Sequence, residues 1–171
     1  MGDGENPDIK TNAGGLLAGL EAGIIAVLVL LGWLALASAW YRRSIWTTAN
    51  VMATTFYGET ALRPDFTFRT VAGIALYLVV YGTIGALFGL TLASRDAGLR
   101  LTLIGMLVGL VWYFLSFSVL WHDINPLIPL YTHSAPMLVG HALYGGLLGR
   151  FPHYRARLAG DHTAPRAESH A

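Results

Sequence analysis

The chain has 171 residues, no cysteine, a formal charge of +1, and only 12% charged residues where a soluble domain carries about 25%. Disulfides, thiolate nucleophiles and cysteine-ligated clusters are excluded. With no basic stripe in the sequence, a nucleic-acid partner is not expected either.

The charge deficit is local. Gly14 to Ala39, Val71 to Ala93 and Leu101 to Trp121 contain one charged residue between them, Glu21. Each run is long enough to cross a hydrocarbon core of about 30 Å at about 1.5 Å per residue. Because these runs are apolar all round, a barrel of alternating strands is not expected. The composition predicts an all-α, polytopic four-helix transmembrane bundle.

In chain order, residues 1–13 read as a polar amino-terminal tail, and 14–150 as one transmembrane domain. The first span covers 14–40. "ALASAW" offers an Ala-x-Ala pattern, but the acidic residues ahead of it and the length of the apolar run predict a permanent helix, not a cleaved signal peptide.

The connection 44–70 mixes Trp46, Met52, Phe56, Tyr57, Phe66 and Phe68 with threonines and charges, a composition suited to a membrane interface. It predicts a short interfacial helix, capped by Ser44 or Thr47 and running toward Tyr57, with turns at Gly58 and Pro64, lying flat over one mouth of the bundle. Spans at 71–93 and 101–121 come next. Pro126 and Pro129 stop the third helix, and Pro136 suits the first turn of a fourth at about 130–150, with Thr132 or Ser134 as its cap. Residues 151–171 read as a polar carboxyl-terminal tail.

Lys10, Arg95, Arg100, Arg150, Arg155, Arg157 and Arg166 fall on one side of such a layout, and Arg42, Arg43, Arg63 and Arg69 on the other. The excess predicts both termini in the cytoplasm.

One motif recurs in every span. G-x-L-x-G appears as "GLLAG" at Gly15, "GALFG" at Gly85, "GMLVG" at Gly105 and "GGLLG" at Gly145. Glycines four apart make a flat groove that lets helix backbones approach closely. Gly15, Gly19 and Gly23, Gly85 and Gly89, Gly105 and Gly109, and Gly145 and Gly149 are the expected packing positions. As helix direction alternates, all four copies fall in one leaflet, while Trp33, Trp40, Tyr41, Tyr77 and Trp121 fill the other. The pattern predicts a cone, tight toward the termini and open beneath residues 44–70.

Measured from the motif centres, Glu21 lies about 6 Å further along its helix and Tyr81, Tyr113 and His141 about 9 Å along theirs. An intramembrane carboxyl seeks a partner. A Glu21–His141 pair, completed by Tyr81 or Tyr113, is the expectation.

His141, with Gly145 and Gly149 on the same side, has the surroundings of an axial ligand to haem or another tetrapyrrole. The plainer reading is a histidine hydrogen-bonded within the bundle. His122, Asp123 and His133 flank "NPLIPL" and are the candidates for a metal site, but their spacing matches no zinc pattern. The tail histidines His153, His162 and His170 have nothing to fix their geometry. No phosphate loop, nucleophile elbow or paired carboxylates is present, so an enzyme is not the leading expectation.

The proline-containing connection and the Gly140-His141 pair in the last helix resemble a group of small, uncharacterised four-helix bacterial inner-membrane proteins. The resemblance covers the last third of the chain. It implies fold and inner-membrane location, and no established activity.

Three functions stay open. The first is a non-enzymatic membrane protein acting through helix packing, as a homo-oligomer or an accessory subunit among membrane-protein partners in the lipid bilayer. The second is a haem-, pigment- or quinone-binding subunit centred on His141, and the third a proton-coupled transporter using Glu21.

Overall fold

The structure, a computed structural model, describes residues 7–92 and 97–160, with side chains from residue 12 to residue 158. Arg95, His162, Arg166 and His170 of the sequence analysis lie outside the described residues. Within them the fold is helical, with no strand. Three helical stretches are long and apolar enough to cross a membrane: Asn12–Trp40, Phe68–Thr91 and Leu99–Ile124.

The first belongs to α1 (Pro7–Trp40), whose start takes in half of the segment read as a polar tail. α2 (Thr47–Tyr57) ends at Gly58, whose φ of 57° favours glycine, and leads into one 3-10 turn (Gly58–Ala61). α3 spans Phe68–Thr91.

α4 (Leu99–Leu115) continues through a π-helical turn (Ser116–Leu120) into α5 (Trp121–Ile124). α6 (Leu127–Tyr131) follows Pro126, contains Pro129 and ends at Thr132, and α7 covers Ser134–Leu148. The 15 residues of α7 extend about 22 Å, short of the hydrocarbon thickness. α8 (Phe151–Gly160) occupies what the sequence suggested was tail.

Glycine sets the order of the helices. A Cβ built on Gly85 would lie 2.6 Å from Gly23 Cα, and one on Gly89 equally close to Gly19 Cα. On the other side of the molecule, a Cβ on Gly145 would lie 2.9 Å from Met106 Cα, and one on Gly149 2.6 Å from Thr102 Cα. Gly105 and Gly109 face the carbonyl oxygens of Gly145 and His141. Only hydrogen fits at these crossings, so α1 lies against α3, and α4 against α7, backbone to backbone.

α1 also packs on α7, where Gly140 receives Leu30 and the Trp33 indole donates to the Pro136 carbonyl at 2.8 Å. The resulting order is α3, α1, α7, α4, antiparallel at each step. Backbone contact between α3 and α4 is slight among the described residues. The glycine motifs meet as two backbone-tight pairs, α1 with α3 and α4 with α7, joined along α1 and α7.

α2 is closely packed on its neighbours. Thr48 to Thr54 are all buried, and a Cβ on Gly73 of α3 would strike the Ala49 carbonyl, so α2 is wedged against the start of α3. The expected caps differ as well. Ser44 Oγ donates to the Pro64 carbonyl at 2.5 Å and accepts from Trp46 N at 3.2 Å, so it pins the connection and leaves α2 without a side-chain cap. Thr132 Oγ1 donates back to Ile128 O at 2.6 Å, and α7 likewise starts without one.

Polar side chains fasten α2 in place. Thr67 and Thr70 form a capping box at the start of α3, and Thr70 Oγ1 donates onward to Asn50 Oδ1 at 2.6 Å. Asn50 Nδ2 donates to the carbonyls of Arg63 at 2.6 Å and Asp65 at 3.2 Å. On the opposite flank, Asn125 Nδ2 donates to Thr54 Oγ1 at 2.7 Å and Thr55 Oγ1 at 3.1 Å, while its Oδ1 accepts from Leu127 N at 3.2 Å.

Asn125 is buried, so truncation leaves hydroxyl and amide partners unsatisfied. Asn125→Ala is expected to cost about 2 kcal/mol, with the loss of α6 docking visible as a lower melting temperature in detergent.

Candidate functional site

His141 is fully buried between the two glycine-tight pairs. Its Nδ1 lies 2.7 Å from the Met137 carbonyl one turn earlier, and its Nε2 lies 2.7 Å from the Tyr81 hydroxyl. A carbonyl only accepts, so Nδ1 carries the proton, Nε2 accepts, and the Tyr81 hydroxyl donates. The hydrogen bond assigns one tautomer to the imidazole and joins α3 to α7.

Around the imidazole stand Tyr81, Tyr113 and Phe117, with ring centroids at 5.6, 5.3 and 6.3 Å. Tyr144, three residues after His141, is fully buried and donates from its hydroxyl to the Tyr81 carbonyl at 2.6 Å. Tyr77 stacks on Tyr81 at 5.5 Å.

Phe117 reaches the cluster from the π-helical turn, which also buries Ser116. Such a turn inserts a residue into the α-helical ladder and rotates the residues beyond it about the helix axis. Here the turn carries Phe117 to the imidazole. Trp112 of α4 has a buried indole N–H with no hydrogen-bond partner among the described residues.

The expected Glu21–His141 pair does not form. Glu21 pairs with Arg157 of α8. Leu30, which packs on Gly140, is nine residues beyond Glu21, so the carboxyl and the imidazole are about 13 Å apart along α1. The depth estimate failed because the glycines of α7 register against α4, not against α1.

Arg157 is 67% exposed and Glu21 30%, which places their interaction among the weak ones. Glu21→Gln is expected to cost about 1 kcal/mol or less. In a double-mutant cycle with His141→Gln the coupling is expected below about 0.5 kcal/mol, measured by thermal melting in detergent.

Tyr113 comes to the cluster as expected, its hydroxyl 3.5 Å from the Ser134 carbonyl. The metal candidates do not come together. His133 stacks on Tyr41 with centroids 4.4 Å apart, His122 and Asp123 are exposed, and among the described residues no three His, Asp or Glu side chains converge.

As an axial ligand His141 would have to give up one of its two hydrogen bonds, and the aromatic rings fill the space beside it. The site as folded holds helices together. Tyr144 and the π-helical turn were not singled out in the sequence; the spacing of Tyr144 from His141 was the available signal for the first of them.

Two crevices open at the α2 end. One of about 30 Å³, room for about a single water, is lined by Tyr41, Thr48, His133 and Met137. The other, about 340 Å³, is lined by Arg42, Arg43, Ser44, Thr47, Arg63 and Tyr131 among others. His141 lines neither of them. No protein-family model, curated protein or solved structure matches the chain.

Proposed function

We propose that this is a non-enzymatic integral membrane protein, a four-helix bundle that works through helix packing as a homo-oligomer or as an accessory subunit of a membrane assembly. α7 serves as the fourth span. It is lodged antiparallel between α1 and α4, and α6 and α8 extend the helical chain at its two ends. The basic residues on the side of the termini support an orientation with both ends in the cytoplasm, and the inner-membrane location rests on the resemblance of the last third of the chain.

One observation carries the reading: both nitrogens of the buried His141 are occupied, Nε2 by the Tyr81 hydroxyl that ties α3 to α7 and Nδ1 by the Met137 carbonyl within α7, with aromatic rings closing around them. The interior has the chemistry of a scaffold. Outside it, Leu103, Leu107, Val111 and Phe114 of α4 form an exposed apolar ridge, the surface that meets lipid or a neighbouring helix.

The four glycine motifs face one another inside the chain, so association with a second chain uses other surfaces. Mass measurement of the intact particle after gentle extraction, combined with its absorption spectrum, tests the proposal. A colourless particle heavier than one chain is expected. A monomer with a Soret band lost in His141→Ala would overturn it in favour of the cofactor-binding reading.

A further inference from the structure

We propose that the crevice between the end of α1 and the segment after α2 binds a phosphate-bearing anion at the membrane surface. Arg42, Arg43 and Arg63 line it together with Ser44 and Thr47, and its volume of about 340 Å³ falls in the range of small-molecule sites. The exposed carboxylates of the same connection, Glu59 and Asp65, do not line it. Among the described residues none of the three arginines forms an ion pair.

The scaffold holds this arrangement. Arg43 Nη1 donates to the Tyr131 carbonyl at 2.9 Å, tying the end of α1 to α6, and Asn50 fixes the backbone at Arg63. Arg42 has a φ of 55°, and no other non-glycine residue among those described has a positive φ. A side chain kept in that region costs energy, and the turn built on it places two successive guanidinium groups at the crevice. Thr47 opens α2, so the positive end of that helix faces the same space.

Position selects the chemistry. The apolar run of α1 ends at Trp40, which is 85% exposed, and Phe66 and Phe68 are exposed nearby. Aromatic residues of this kind mark the level of lipid headgroups. A guanidinium pairs with phosphate oxygens in a fixed fork, so the group recognised is a phosphate, carried by a phospholipid headgroup or free in solution.

Two arms separate the sources. In the first, protein is reconstituted in phosphatidylcholine vesicles with and without phosphatidylglycerol, and retained lipid is counted by native mass spectrometry. In the second, inorganic phosphate is titrated calorimetrically into protein in phosphatidylcholine alone. With each arginine worth about a factor of five toward an anionic lipid, Arg42→Gln, Arg63→Gln is expected to weaken binding about 25-fold.

Arg150→Gln, Arg155→Gln, the same loss of charge at the other end of the molecule, is expected to leave binding unchanged. Retention of phosphatidylglycerol that depends on Arg42 and Arg63 assigns the site to lipid. Phosphate binding with the same dependence assigns it to the free ion. Binding in neither arm, a double variant that binds like wild type, or an equal loss in the control pair would each overturn the proposal. If the double variant does not fold, Arg63→Gln alone serves, because that side chain is exposed and makes no hydrogen bond of its own among the described residues.

Discussion

Gly85→Leu is expected to separate α1 from α3 and leave little folded protein after extraction. A Cβ at this position meets the Gly19 carbonyl oxygen, Gly23 Cα at 2.6 Å and Gly23 N at 3.0 Å. All three are backbone atoms, so no side chain can rotate away and the helices themselves must move. Overpacking where side chains can adjust costs about 1–3 kcal/mol, and a conflict between two backbones lies at or above the top of that range.

Two other glycines supply the contrast. At Gly82 an added Cβ touches only side-chain atoms, Leu20 Cδ1 at 3.3 Å and Ile24 Cγ1 at an ordinary contact distance of 3.7 Å, and at Gly32 it meets nothing within 4 Å. Gly82→Ala should be tolerated. Gly32→Ala should gain about 0.5–1 kcal/mol, the usual difference between the two residues inside a helix. Melting temperatures of the three variants in one detergent test the series, and a Gly85→Leu protein as stable as Gly32→Ala would show that the tight α1–α3 crossing does not hold the fold.

The same glycines explain which features could be read in the sequence. The apolar runs announced the long helices because crossing hydrocarbon demands composition alone. The motif marked the places where backbones meet, but carries no information about which groove faces which. Once α1 pairs with α3 and α4 with α7, each pair has its own register, and Glu21 drops out of the common layer deduced from motif centres.

His141, Tyr81 and Tyr113 still meet because long aromatic side chains bridge the offset. Glu21 does not, and its partner Arg157 sat in a segment whose charges suggested a solvated tail. There the fully buried Phe151, packed against Phe88 at 5.8 Å, was the overlooked anchor of α8. Asn50 and Asn125 were invisible for another reason. Apart from the local turn that Asn125 makes with Leu127, their side chains act on partners 13 to 71 residues distant in sequence, and no local pattern records that.

His141→Ala is expected to be the most damaging single change at the buried cluster. It removes the acceptor of the Tyr81 hydroxyl and the donor to Met137 O, and opens a void among Tyr81, Tyr113 and Phe117. An unpaired buried hydroxyl costs about 1–3 kcal/mol, and the cavity adds to it, for a total of about 3 kcal/mol or more.

Tyr81→Phe isolates the hydrogen bond. It keeps the ring against Tyr77 and Tyr144 and removes only the hydroxyl, leaving Nε2 without a donor. Bonds between membrane helices average about 0.6 kcal/mol and reach about 1.7. Burial of both groups favours the upper part of that range, so a loss of about 1–2 kcal/mol is expected.

The cycle formed by Tyr81→Phe, His141→Ala and the double variant should give a coupling of about 1 kcal/mol, because each single change strands the other's partner. Tyr113→Phe serves as the reference. Its hydroxyl reaches the Ser134 carbonyl only at 3.5 Å, so removing it should cost less than about 0.5 kcal/mol. If Tyr81→Phe proves as mild as Tyr113→Phe and shows no coupling to His141, the imidazole is not held by α3, and a free Nε2 would return the cofactor-binding reading to first place.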